Sequence, residues 1–179
     1  MNKRSNLLLT EAVVVMIICT VSVGAGDMMK TASMDGLRVE LHVLPAEPFF
    51  TADEVAVSHV KEGMLIVGGA KPIATDAASH PNRHLVVHIF DAKTGKAITN
   101  ATVSMNFQLL DDKGKPNGAV VDVPVVVMQA FGQGPQSTHY GNNVAMPNGN
   151  YSIAVTVNGL KTEFRAAVSA SAMDEMHKH

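Results

Sequence analysis

The sequence predicts an all-β protein, an antiparallel β-sandwich with one short helix near the N-terminus. Two observations carry this prediction. Roughly seven or eight short stretches alternate apolar and polar residues, as half-buried strands do. Turn signals separate them at spacings of roughly 8–12 residues, the rhythm of sandwiches and barrels.

The elements follow in order. Arg38-Val-Glu-Leu-His-Val-Leu44 alternates cleanly and is stopped by Pro45 and Pro48. Thr51-Ala-Asp-Glu54 is a capping box, so a helix is expected from about Ala52 to Glu62, with Gly63 as its stop. Met64 to Val67 reads as a short strand, and residues 70–83 as a loop. His84 to Phe90 is a strand, closed by the turn Asp91-Ala-Lys-Thr-Gly95. Ala101 to Leu109 follows, then a turn over Asp111 to Gly118. Ala119 to Ala130 is β-prone but contains Pro124, which suits an edge strand or a bulge. A flexible loop is expected over Gly132 to Thr138, ahead of His139 to Met146. Tyr151 to Val157 and Lys161 to Val168 make a hairpin about Asn158-Gly159, a strong two-residue turn signal. The phrase from Asp91 to Val103, Asp-x-x-Thr-Gly-Lys-Ala-Ile-x-x-Ala-x-Val, looks like the hairpin of immunoglobulin-like modules, so the sandwich is expected to be immunoglobulin-like. That likeness concerns fold and carries no function.

The N-terminus has the three parts of a secretory signal: the charged Lys3-Arg4, an apolar run from Leu7 to Val23, and small residues around Ala25. Cleavage is expected near Ala25, giving a signal peptide over 1–25, a loose leader over 26–36, the sandwich over 37–168 and a flexible tail over 169–179. The mature domain is then periplasmic. An uncleaved anchor is the rival reading, but Glu11 and Thr10 interrupt the apolar run. Lipidation at Cys19 is disfavoured by the bulky Ile18 before it. Cys19 is the sole cysteine, so its removal leaves no thiol for a disulfide or a thiolate metal site.

Composition excludes several functions. The net charge of −2 with no basic patch argues against nucleic acid. The absence of tryptophan argues against a sugar- or base-stacking platform. No nucleophile motif, phosphate loop or H-E-x-x-H is present, so the chain is not read as an enzyme. Eight histidines and eleven methionines remain as the informative group, and without thiols they are the available soft ligands.

His84 and His88 share one face of their strand but stand roughly 13 Å apart along it, too far to ligate one ion directly. The intervening same-face residue is Val86, which cannot ligate. Each site on this strand therefore has one ligand, and Met128 and His139 are the candidates to complete it with His84. Such a set favours copper. The plainer reading of a methionine on a strand is core filling. His59, His80, His177 and His179 carry no assigned role.

Met128, followed by a loop and His139-Tyr-Gly-Asn-Asn-Val-Ala-Met146, resembles the Met…His-Tyr-Gly-x-Asn-x-Ala-Met stretch of a bacterial periplasmic family. That family accompanies high-affinity iron uptake and includes a spirochaete membrane antigen. His84-Leu-Val-Val-His88 resembles the family's His-Leu-Glu strand. The resemblance covers about residues 83–157. It implies an immunoglobulin-like fold, a homodimer, an inner-membrane permease as partner, and copper or iron as cargo. The family's ligands fall on Met128, His139 and His84. Three departures accompany this. The family's glutamate falls on Val86, the loop before His139 is longer, and no histidine lies between Tyr151 and Val168. The expected site is thus softer, shifted toward Cu(I). The rival expectation is a metal-free structural or interaction module of the cell envelope, and a third is a chaperone-like domain with a soft methionine surface.

Overall fold

The computed structural model describes residues 19–22 (backbone alone), 28–68 and 81–169. Their strands are β1 (Cys19–Ser22), β2 (Met28–Met34), β3 (Leu37–Pro45), β4 (Phe49–Phe50), β5 (Leu65–Val67), β6 (Arg83–Asp91), β7 (Val103–Leu110), β8 (Val121–Val123), β9 (Val126–Ala130), β10 (His139–Val144), β11 (Gly149–Val157) and β12 (Leu160–Val168). A helix, α1 (Ala52–Val57), and a 3-10 turn over Pro135–Ser137 complete the elements. The expected fold class holds: two antiparallel-rich sheets pack as a sandwich. One sheet has the order β1-β2-β3-β6-β10-β9-β5-β4, the other β12-β11-β7-β8.

Period-two alternation explains the core. Val39, Leu41 and Val43 of β3, Leu85, Val87 and Ile89 of β6, and Tyr140 of β10 point to one face of the large sheet. They meet Met105, Phe107, Ile153, Val155 and Phe164 from the small sheet. Each such side chain contributes about 1.5–3 kcal/mol on full burial. Tyr140 brings a polar handle into this core. Its hydroxyl donates to the Ile98 carbonyl at 2.8 Å and accepts from the Ala101 amide at 3.1 Å. This fixes β10 against the β6–β7 connection.

Several elements differ from the sequence prediction. The leader assigned to 26–36 contains strand β2, which pairs along its length with β3. Asp35 and Gly36 turn the hairpin at φ 40° and 76°, an Asp-Gly pair of the favoured two-residue type. The sandwich therefore begins by Met28 and not at residue 37. α1 starts on the expected capping box, with Thr51 and Glu54 exchanging bonds, but stops at Val57. None of its residues is buried, so no packing face extends it to Glu62. The β-prone run from Ala119 to Ala130 is two strands in different sheets, with Pro124 at the crossing. The loop before His139 holds a 3-10 turn tied by Ser137, whose hydroxyl donates to the Gly134 carbonyl at 2.7 Å and accepts from the Ala130 amide at 3.1 Å. β1 falls inside the span assigned to the signal peptide; cleavage near Ala25 would leave β2 as the sheet edge. Residues 1–18 and 23–25 of the signal span, 26–27 of the leader, most of the 70–83 loop with His80, and the tail from 170 on with His177 and His179 lie outside the described residues.

The second face of the large sheet positions the candidate site. It carries Glu40 and His42 of β3, His84, Val86 and His88 of β6, His139, Gly141 and Asn143 of β10, and Met128 of β9. Gly141 sits opposite Val86 on one side and Val126 on the other. A Cβ there would collide with the Leu85 carbonyl oxygen and stand 2.7 Å from the Val86 Cα. Only glycine permits this close approach of β10 to β6. Gly141→Ala should cost about 1–3 kcal/mol through overpacking, measured by urea unfolding. Unchanged stability would show that the strands can separate without penalty.

Candidate functional site

The registers build a row across the sheet. Glu40 lies opposite His88. His139 follows one position beyond the pair Tyr140–Val87, which aligns it with His88. His139 in turn lies opposite Met128, and Met128 opposite Val67. Directly opposed residues on one face have Cβ atoms about 4.5–5.5 Å apart, so the side chains of this row stand next to one another.

His84 joins the row from the side. Its ring centre is 5.6 Å from that of His139. Gly141 and the short Val86 are the same-face residues between them, which leaves room for both rings to lean inward. The ring of His88 is 5.0 Å from His139 on the other side, and His42 is 4.9 Å from His88. The structure thus gathers all three residues singled out in the sequence, His84, Met128 and His139, on one face. It also brings His88 beside His139, though not onto a shared ion with His84. His88 lies directly opposite His139 in register, whereas the ring of His84, which pairs with Asn143, leans along the face toward His139. His42 comes from β3, and its place depends on cross-strand register that local sequence does not specify.

Burial is deep at the centre. His84 is 1% exposed, Met128 0% and His139 5%. Leu65, Val67 and Val86 surround Met128, with Phe49 and Val126 packed against them. The Phe49 ring stands 5.7 Å from His84 although β5, β9 and β10 separate their strands in the sheet. The large sheet therefore curls, and its far edge reaches His84.

Hydrogen bonds set the tautomers. Asn143 donates through Nδ2 to the Glu47 carbonyl at 2.6 Å and accepts the Glu47 amide at 3.3 Å on Oδ1. Its orientation is fixed, so Oδ1 must also accept from His84 Nδ1, 3.0 Å away. His84 Nδ1 then carries the proton and Nε2 the lone pair. That Nε2 is buried with no hydrogen-bond partner. His139 Nδ1 faces the Ser137 carbonyl at 2.8 Å, which leaves its Nε2 unprotonated too.

All four rings are held neutral. Burial first, then the neighbouring His139, push His84 down to about 4 against the opposing bond from Asn143. Burial and then the other three histidines push His88 down to about 3, against a bond to the Thr138 backbone. Burial lowers His42 and His139 as well, helped at His42 by His139. A neutral imidazole with one nitrogen bonded and the other free is the form that ligates a metal. Among the described residues, no three His, Cys, Asp or Glu side chains are placed to hold an ion together. What the geometry offers is two imidazoles and a thioether. With bonds of about 2 Å, two imidazoles on one ion have ring centres roughly 5 to 6 Å apart. The 5.6 Å separation of His84 and His139 meets that condition.

Compared with known proteins, the chain matches no protein-family model, no curated protein and no solved structure. The fold and site define a β-sandwich with a buried, uncharged histidine–methionine cluster on one sheet face.

The lowered histidines make the fold acid-sensitive. An unfolded chain takes up protons at the ordinary histidine pKa of 6.5, whereas folded His84 and His88 resist until about 4 and about 3. Their protonation therefore costs the fold nothing well above pH 6.5, and stability falls as pH drops through that window. The melting temperature should hold steady from about pH 8 to 7 and begin to fall between about pH 6.5 and 5, before carboxylates titrate. A flat profile down to about pH 5 would mean the rings are solvated.

Proposed function

We propose that the protein is a periplasmic metal-binding protein that handles copper as Cu(I), held by His84, His139 and Met128, with iron as the alternative cargo. The observation that carries this reading is the unpartnered Nε2 of His84, buried beside His139. A buried lone pair without a partner costs about 1–3 kcal/mol of stability. A metal ion removes that cost. Thioether and neutral imidazole in an apolar pocket suit a soft, singly charged ion better than a hard one. The resemblance of His139–Met146 to the iron-uptake-associated family supports the same reading, as does the export signal. The structural reason for Val86, where that family has glutamate, is then packing: it fills the space beside Met128.

A metal-free interaction module of the envelope is the second reading. It is favoured by exposed apolar side chains at Val120, Val121 and Phe131. It assigns no use to the His84 lone pair.

Anaerobic Cu(I) competition against a chromophoric chelator separates the two. The exported protein should be used with His177 and His179 replaced by alanine, which removes adventitious binding by the tail. One ion per chain should bind more tightly than about 1 μM. His84→Leu and Met128→Leu, both close in volume, should each weaken binding by roughly tenfold or more while apo stability stays within about 1.5 kcal/mol. Binding no tighter than about 1 μM, or tight binding unchanged in both variants, would leave the second reading.

A further inference from the structure

The same sheet face repeats the methionine–histidine pairing at its other end. Met29 of β2 lies directly opposite His42 of β3, as Met128 lies opposite His139. Along β2, Ala32 and Met34 are buried in the sandwich core, so alternation places Met29 and Thr31 on the histidine face. Both Met29 and the ring of His42 are part-exposed, whereas Met128 and His84 are sealed. His42 Nε2 is itself buried and without a hydrogen-bond partner. The nearest charge is Glu40, whose Oε2 stands 3.9 Å from that nitrogen while Oε1 pairs with Arg38. Arg38 lies over the Phe90 ring at 4.2 Å while its guanidinium pairs with Glu40.

We infer that Met29 and His42 form a second, part-exposed soft-metal site that receives the cargo and passes it through His88 to the buried His139, Met128 and His84. The inference rests on the copper reading above. Ring-centre steps along this line are 4.9 Å from His42 to His88, 5.0 Å to His139 and 5.6 Å to His84. Each lies within or just under the roughly 5 to 6 Å over which two imidazoles share one ion. The ion can therefore exchange one imidazole at a time along this line. Exposure falls along the same line, from His42 to His139 to His84. His88 is held for this role by its bond to the Thr138 backbone and by stacking on Phe90 at 6.2 Å. No redox change is involved; the cargo stays Cu(I), or Ag(I) as a redox-inert probe.

The test is loading kinetics. The exported protein, with His177 and His179 replaced, is mixed anaerobically with a Cu(I)–chelator complex, and chelator absorbance is followed by stopped flow. Met29→Leu and His42→Gln should each slow loading by roughly tenfold while equilibrium affinity stays within about twofold of the unchanged protein. His84→Leu should do the reverse: weak final binding, with the fast first phase kept. Unaltered loading rates in both Met29→Leu and His42→Gln would overturn the relay alone. A loss of affinity in these variants as large as that in His84→Leu would also overturn it, because Met29 and His42 would then be ligands of one shared centre. No uptake at all by the unchanged protein would overturn the copper reading, and the relay with it.

Discussion

The close approach of β10 to β6 at Gly141 is the constraint on which the rest depends. With no side chain at that position, two strands come together where any Cβ would strike the Leu85 carbonyl. Tyr140 and Asn143, on either side, lock the arrangement. Tyr140 reaches into the core to the Ile98–Ala101 backbone. Asn143 reaches out to Glu47 and His84. The register that results aligns His139 with His88 and with Met128. The gap above Gly141 then admits the ring of His84. A one-residue slip would send His139 into the sandwich core and Tyr140 to the other face.

This arrangement works against stability. Four imidazoles lose hydration, and two of their nitrogens find no partner. Well-packed apolar residues of similar volume would serve the fold equally well or better. The desolvation that lowers stability also keeps the rings uncharged at neutral pH, so that a metal need not displace protons to bind. Structural cost and ligand readiness therefore have one cause, the apolar surround of Phe49, Val67, Val86 and Met128. Asn143 links the two by holding the His84 tautomer and tethering the segment that leads to β4, which reaches His84.

Much of the sandwich is legible in the sequence, because alternation and turn chemistry are local. Arg38 to Leu44, His84 to Phe90, and the Asn158-Gly159 hairpin emerge within a residue or two of their reading. β2 escapes because Met-Met-Lys-Thr-Ala-Ser-Met has no clear alternation. Its one signal is the Asp35-Gly36 turn. The overlong helix reflects a good cap with no apolar face behind it. Pro124 is read as marking an edge strand or a bulge, whereas it stands at a crossing between sheets, which is a tertiary matter. At the site, His84, Met128 and His139 are visible from residue type and motif. His88 and His42 are not, because their nearness to His139 depends on the β6–β10 and β3–β6 registers, neither of which local sequence encodes.

The central claim is that the histidine face holds a soft ion through one thioether and two imidazoles. Copper X-ray absorption on the Cu(I)-loaded protein with His177 and His179 replaced tests it most directly. Two nitrogen scatterers at about 2.0 Å and one sulfur at about 2.3 Å are expected, with the sulfur lost in Met128→Leu. A shell of nitrogen and oxygen without sulfur, or a sulfur that persists in Met128→Leu, would contradict it.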